Sequence, residues 1–308
     1  MCAVDVTAWL LDGDPSIRWQ TRRDLLHEPA RAWAADRAAV ESEGWGAALL
    51  DAQDAAGTWG GAVWKPEDWD ATDDTLLLLA TLGAEPDAPR MSAALQRVRE
   101  NVDWGEEWGH SPFFEGEVEP CINGRVLIAG AAFGSPSERI VGLLLADQHD
   151  DGGWNCYSED RTAPSSFHST ICALEGLAAY RDAGGPTDVS AELARGHTYL
   201  LERGLLRRKS DGSLIDEDWL TFRFPTYWRY DVLRGLDHLR AAGAPADERV
   251  AEAVALVESK RGADGRWTLE AVIPGRTTIT MERVGEPSRW QTLRALRVLE
   301  WAGAACRA

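Results

Sequence analysis

Residues 148–154 read QHDDGGW and residues 53–59 read QDAAGTW, two copies of one pattern, Gln-x-x-x-Gly-x-Trp. Looser copies stand at 261–267 (RGADGRW) and 208–214 (RKSDGSL), with Arg for Gln and, in the second, Leu for Trp. Each copy follows an apolar helical segment (ALLDAQ, GLLLADQ, AVALVESK, TYLLERG) and precedes a loop and a second helix. Self-similarity at this spacing marks units that bury their faces against one another. In each copy the Gly is predicted to adopt the left-handed conformation that ends a helix. The Trp is predicted to fold back with its ring buried and its N–H bonded, and the Gln to reach open carbonyls at the helix end.

The second helices align as well. RWQTRRDLL (18–26) and RWQTLRAL (289–296) nearly match, and between them lie TDDTLLLLATL (72–82), PCINGRVLIAG (120–130), FHSTICALEGL (167–177) and TYWRYDVLRGL (226–236). A gapless overlay sets Trp19, Asp73, Cys121, His168, Tyr227 and Trp290 at one level, 47 to 63 residues apart. Pro15, Thr72, Pro120, Ser166, Pro225 and Pro287 precede or open these helices as start signals. One helix pair and its loops fit each interval, and six such units close a ring. The expectation is an all-α chain, a single α/α-toroid domain over 1–308, with about six helical hairpins in inner and outer rings.

The chain carries 50 acidic and 32 basic residues, a net charge of −18. That balance argues against nucleic-acid binding and against adsorption to anionic membranes. No apolar run approaches the length of a membrane span and the start lacks a signal-peptide pattern. Five scattered cysteines (Cys2, Cys121, Cys156, Cys172, Cys306) do not form a disulfide framework, so a reducing cytoplasm is expected. Fifteen tryptophans, more than tyrosine and phenylalanine together, call for a structural or chemical use.

With its Gln-x-x-x-Gly-x-Trp repeats, the chain resembles the terpenoid cyclases and the β subunits of protein prenyltransferases, which share the α/α toroid. The prenyltransferase resemblance implies zinc held by an Asp-x-Cys and a His at successive inner helix starts. Here Glu119-Pro120-Cys121 and His168 stand in those places, with Glu for Asp. It also implies a helical protein partner. The class II cyclase resemblance implies an Asp-x-Asp-Asp acid; residues 71–75 (ATDDT) keep Asp73 and Asp74 and have Ala71 at the first position. For substrate, the resemblance implies an isoprenoid or a thiol-bearing group.

The residues themselves point the same way. Cys121 and His168 lie at one level, Cys156 precedes the His168 helix and Glu119 precedes Cys121, a donor set suited to zinc with an open position. The zinc-binding lanthipeptide cyclases are similar in using two Cys and a His. Cys172 and Cys306 read as small buried hydrophobes. Asp73, Asp74 and His168 are the candidate acid–base groups. Arg18, Arg125, Arg229 and Arg289 are candidates to hold an anionic group or to pair with Asp73, Asp74, Glu119 or Asp231 across the ring. Trp19, Phe167, Tyr227, Trp228, Tyr230 and Trp290 would wall the pocket with π faces that favour an apolar ligand or a cation. Three readings stand at this level: a zinc-activated enzyme acting on a largely apolar small molecule, a metal-free proton-initiated cyclase using Asp73 and Asp74, and a non-catalytic ligand-binding or scaffold toroid with structural zinc.

Overall fold

The computed structural model describes residues 6–156 and 163–305; Cys2 and Cys306 lie outside them. The described chain is predominantly helical. Its α-helices are α1 (Val6–Leu11), α2 (Pro15–Asp24), α3 (Ala30–Ala38), α4 (Gly44–Asp51), α5 (Thr72–Leu82), α6 (Pro89–Asn101), α7 (Pro120–Ala132), α8 (Glu138–Asp147), α9 (Phe167–Asp182), α10 (Ser190–Leu201), α11 (Val232–Ala241), α12 (Ala251–Ser259) and α13 (Arg289–Ala305). One two-residue antiparallel ribbon pairs Trp267–Thr268 with Pro287–Ser288. No helix among the described residues is long and apolar enough to cross a membrane.

Helices α5, α7, α9, α11 and α13 pack each on the next, and α13 packs on α2. The circuit closes through α2 and α5, where the Trp19 indole donates to the Leu82 carbonyl (2.9 Å) and the Gln20 amide to that of Thr81 (3.1 Å). Helices α7 and α9 approach closely. A Cβ on Gly124 would sit 2.2 Å from the Cys172 carbonyl oxygen, and one on Gly176 2.6 Å from that of Gly124. Glycine at both positions lets the two backbones meet.

The repeats act as clamps between helix pairs. Trp59 and Trp154 are fully buried, and their indole N–H groups donate to the Leu49 and Leu144 carbonyls, both at 2.7 Å. Trp267 does the same to Val257. It is therefore the Trp that satisfies an open carbonyl of the preceding helix. The Gln reaches elsewhere: Gln53 donates to Gly57 within the turn and to Ala94 of α6, and Gln148 to Gly152 and to Glu192 of α10. Arg97 and Arg195 of those outer helices donate back to the Gln oxygens. Gly57 (φ 89°) and Gly152 (φ 90°) take the expected left-handed conformation, but within the turn and not at the helix end: α4 is already capped at Ala52 and α8 at Gln148.

Two elements depart from the overlay. Helix α11 starts at Val232, with the Asp231 side chain accepting from Arg234 N (2.8 Å), so Tyr227, Trp228 and Arg229 precede the helix. Tyr227 has φ 45°, a left-handed conformation that interrupts any helix there. Trp19 sits a full turn into α2, because Asp14 caps that helix and Pro15 opens it. Its ring therefore lies at the far end of α5, beside Gly83.

Candidate active site

Helix α5 begins at the repeat turn, and that junction sets the position of its acidic pair. Thr72 Oγ1 accepts from Trp59 N (3.2 Å) and donates to the Ala62 carbonyl (2.8 Å). The same Trp N–H to Thr contact joins Trp154 to Thr170 and Trp267 to Thr292. Asp73 and Asp74 follow directly, both buried. Arg125, one turn into α7 and equally buried, reaches both carboxylates: Nη2 lies 2.9 Å from Asp73 Oδ2 and Nη1 2.5 Å from Asp74 Oδ1. The contact with Asp74 is a hydrogen bond and that with Asp73 an ion pair without hydrogen-bond geometry, and Asp73 Oδ1 and Asp74 Oδ2 have no hydrogen-bond partner among the described residues.

One guanidinium therefore faces two carboxylates away from water. Desolvation raises Asp73 against the pull of Arg125. Asp74 is pushed well above the usual carboxylate range, by desolvation first and then by the neighbouring charge of Asp73. Two like charges in one dry site cannot both ionise against a single cation. The two carboxyls therefore titrate as a pair, each opposing the ionisation of the other.

Asp74 borders a cavity of about 340 Å³. Its walls come from all six helices of the circuit: Leu77 and Leu78 of α5, Ile128 of α7, Ala178 of α9, Arg234 of α11, Trp290 of α13 and Gln20 of α2. Around Asp74 the walls include Phe224, Tyr227 and Trp290, and the Phe224 and Trp290 rings stack at 4.5 Å. Above Tyr227, Trp69 stacks on its ring at 5.1 Å, and its indole donates to the Pro274 carbonyl. Exposed Thr81 and Asp182, at the opposite ends of α5 and α9, mark where the cavity meets solvent. The arrangement is an aromatic floor with a buried carboxyl beside it and a polar mouth, walls that suit an apolar guest or a positive charge.

A second constellation lies one turn before Arg125. Glu119, Cys121 and Cys156 bring their ligand atoms within 4.8 Å of one another, a group that could hold a metal ion. The two sulfurs are 2.8 Å apart, and Cys156 also contacts Ser169 Oγ at 3.2 Å. Their shared hydrogen bond raises Cys121 well above the ordinary thiol range and lowers Cys156. Ligands at about 2.3 Å from zinc in a tetrahedron stand roughly 3.7 Å apart, so this donor set suits zinc with small adjustments. None of the three lines the central cavity.

His168, expected among the ligands and the acid–base groups, is not in that group or on that cavity. Its Nδ1 accepts from Tyr230 N (2.8 Å), and its ring stands edge-on to Trp228 and Trp219. Burial, and after it Arg229 and Arg234, lower it to about 4, so it is neutral near pH 7.

Of the expected pocket wall, Tyr227 and Trp290 line the cavity and Arg125 anchors the acid pair. Phe167 and Tyr230 pack with Trp219 in the core. Arg18 pairs with Asp36 and Glu43, Arg229 covers Trp228, and Arg289 covers Trp9, all away from the cavity. Gln20, Phe224, Arg234, Arg294 and Arg297 line it without having been singled out. A signal existed for the last two: they sit one turn apart in RWQTLRALR, guanidinium groups on an otherwise inward-facing helix.

No protein-family model matches the chain, and no curated protein matches it significantly. The structure is similar to that of the type II terpene cyclase MstE from Scytonema, in its apo form. That match has a TM-score of 0.47 and 17% identity and covers 98% of this chain and 88% of that one. A protein from Actinoplanes is similar at a TM-score of 0.45 and 20% identity, over 94% of this chain and 90% of that one.

Proposed function

We propose that this chain is an α/α-toroid enzyme of one domain that protonates a carbon–carbon double bond of a largely apolar, isoprenoid-like molecule. The observation that carries this reading is the buried Asp73–Asp74–Arg125 group, two carboxyls against one cation, opening on an aromatic cavity. In the proposed step the Asp74 O–H breaks and its proton forms a C–H bond with one alkene carbon, using the π electron pair. Positive charge then develops on the other carbon, facing Tyr227, Trp290 and Phe224, whose π faces stabilise it. A second double bond can close a ring by attacking that carbon, which moves the positive charge to its own far carbon. Loss of a proton to the medium then restores a double bond and ends the reaction, and the carboxyl pair takes up a proton from the medium again. Arg125 and Asp73 set the acid: Arg125 holds the pair in place, and the charge of Asp73 keeps the proton on its neighbour.

The test is turnover of prenyl alcohols and prenylated aromatics in D2O. The expected product carries one deuterium at a former alkene carbon, and the Asp74→Asn variant makes none. Product without deuterium would overturn the protonation step, and a bound prenyl compound that is never converted would favour a ligand-holding toroid.

The thiol pair favours a second reading, in which zinc sits at Glu119, Cys121 and Cys156 with one position open. When bound there, zinc would supply a Lewis acid able to lower the pKa of a coordinated thiol, hydroxyl or water. Near-stoichiometric zinc by elemental analysis is expected in the purified protein, and loss of it in both Cys121→Ala and Cys156→Ala. Zinc retained in both variants would reject these ligands.

A further inference from the structure

The mouth of the cavity carries a charge arrangement that the acid chemistry does not use. Four guanidinium groups meet there around two carboxylates. Asp24 is shared by Arg23, 3.0 Å away at Nη2, and by Arg297, in direct contact. Asp237 is shared by Arg240 at 2.9 Å and Arg294 at 3.6 Å. Arg294 and Arg297 are more than nine-tenths buried and both line the cavity, as do Asp237 and Gln20. Their hydrogen bonding is incomplete. The side-chain hydrogen bonds of Arg294 are long, 3.3 Å to Gln291 Oε1 and 3.4 Å to the Arg223 carbonyl. Arg297 donates to Gln20 Oε1 at 2.7 Å, but its Nε has no partner among the described residues.

The other charged groups on this stretch of wall are paired or neutral. Asp182 pairs with Arg181, Glu175 pairs with Arg234, and His238 is held neutral by burial. Two positive charges therefore stand in excess, in a protein whose net charge is −18. Buried guanidinium groups with free donors match an oxyanion, carboxylate or phosphate, which offers them paired acceptors.

We propose that Arg294 and Arg297, with Gln20, form an oxyanion subsite at the cavity mouth that binds the acidic head of an otherwise apolar substrate. Trp290 at the start of α13 and Arg297 at the mouth, both on the cavity, are seven residues apart, and Asp74 and Thr81 are seven apart on α5. Either interval spans about 10 Å along a helix. The substrate is then an amphiphile whose oxyanion lies about 10 Å from the double bond that receives the proton. This assignment rests on the cavity being the substrate site, and it gives that site a direction: head at Arg297, reacting alkene at Asp74.

Binding without turnover tests it. Inorganic pyrophosphate, decanoate and decanol are titrated calorimetrically at low ionic strength into wild type, Arg294→Gln, Arg297→Gln and Asp74→Asn proteins, with melting curves confirming each fold. Pyrophosphate, decanoate or both are expected to bind once per chain, and to weaken by about tenfold or more in Arg294→Gln, the loss of one charge-assisted contact. Pyrophosphate alone would assign a phosphate head and decanoate alone a carboxylate head. Decanol is expected to be indifferent to the arginine substitutions. Arg294→Gln should fold as well as wild type, because it removes a poorly compensated buried charge. Asp74→Asn should bind both anions as wild type does, so a failed acid step with intact anion binding would reject the acid and leave the subsite standing. Neither anion binding to wild type, or equal binding to wild type and Arg294→Gln, would overturn the proposal; the arginines would then only neutralise the helix ends around them.

Discussion

The Asp74→Asn variant is expected to lose about 10²- to 10⁴-fold in turnover, the usual contribution of a general acid, while keeping its fold. The amide carbonyl still accepts from Arg125 Nη1, which lies 2.5 Å from Asp74 Oδ1 in the wild type. One carboxylate then remains against one guanidinium, the charge balance that the native site reaches only by keeping a proton. The sign of the pH effect follows. Asp74 is raised in the folded protein, by desolvation first and by Asp73 second. Above the unfolded value of about 3.9 the unfolded chain gives up this proton and the folded chain keeps it. The native pair therefore costs stability progressively as pH rises from about 4 toward the raised folded value. Asp74→Asn removes that penalty, so its melting temperature at pH 7 should equal or exceed that of wild type, with the advantage shrinking toward pH 4.

Arg125→Met should have the opposite outcome. Removing one partner of a buried ion pair leaves uncompensated charge, at a cost of about 3–5 kcal/mol. Here both Asp73 and Asp74 lose their common cation, since Arg125 contacts each. Both carboxyls are pushed up further, so the loss should be smallest near pH 4, where the unfolded chain is also protonated, and should grow as pH rises. Denaturant unfolding at several pH values checks this. A loss independent of pH would mean that Arg125 acts through packing alone. The double variant Asp74→Asn, Arg125→Met should recover part of the loss, because one of the stranded carboxyls is gone.

The helical class and the repeats were legible because they depend on local chemistry. Gly57 and Gly152 turn the chain after the helices through a conformation that glycine favours, and Trp59 and Trp154 bury rings next to carbonyls of the helix ends. Asp73 and Asp74 were legible as a pair at a helix start. Pairing with an arginine across the ring was one of two open readings, and which of the four arginines does it was not legible, because 51 residues separate Asp74 from Arg125 and only the packing of α7 on α5 joins them. The overlay failed where a helix start is not set by its repeat. Asp231 caps α11 five residues after Thr226, and this leaves Tyr227 in a loop that still reaches the cavity. It failed again at Trp19, where Asp14 and Pro15 start α2 early and turn the indole toward the far end of α5. His168 shares the overlay level of Cys121, but equal height on neighbouring helices does not fix direction. Its ring turns to Tyr230 N and Trp228, while Cys156 comes to Cys121 from the preceding loop. Arg294 and Arg297 went unremarked because the wall they share with Gln20 exists only once α13 packs on α2.

The central claim is that the Asp73–Asp74–Arg125 group holds a proton at neutral pH beside the cavity, and carbon-13 NMR of aspartate-labelled protein tests it without any substrate. The carboxyl signals are followed from pH 4 to 9 in wild type and in Asp74→Asn. The account predicts one carboxyl signal that remains in its protonated position through pH 7 in the wild type and is missing from the variant. If every aspartate carboxyl is ionised by pH 6 and the two spectra differ by one ordinary carboxylate signal, the group carries no proton to give, and the account is wrong.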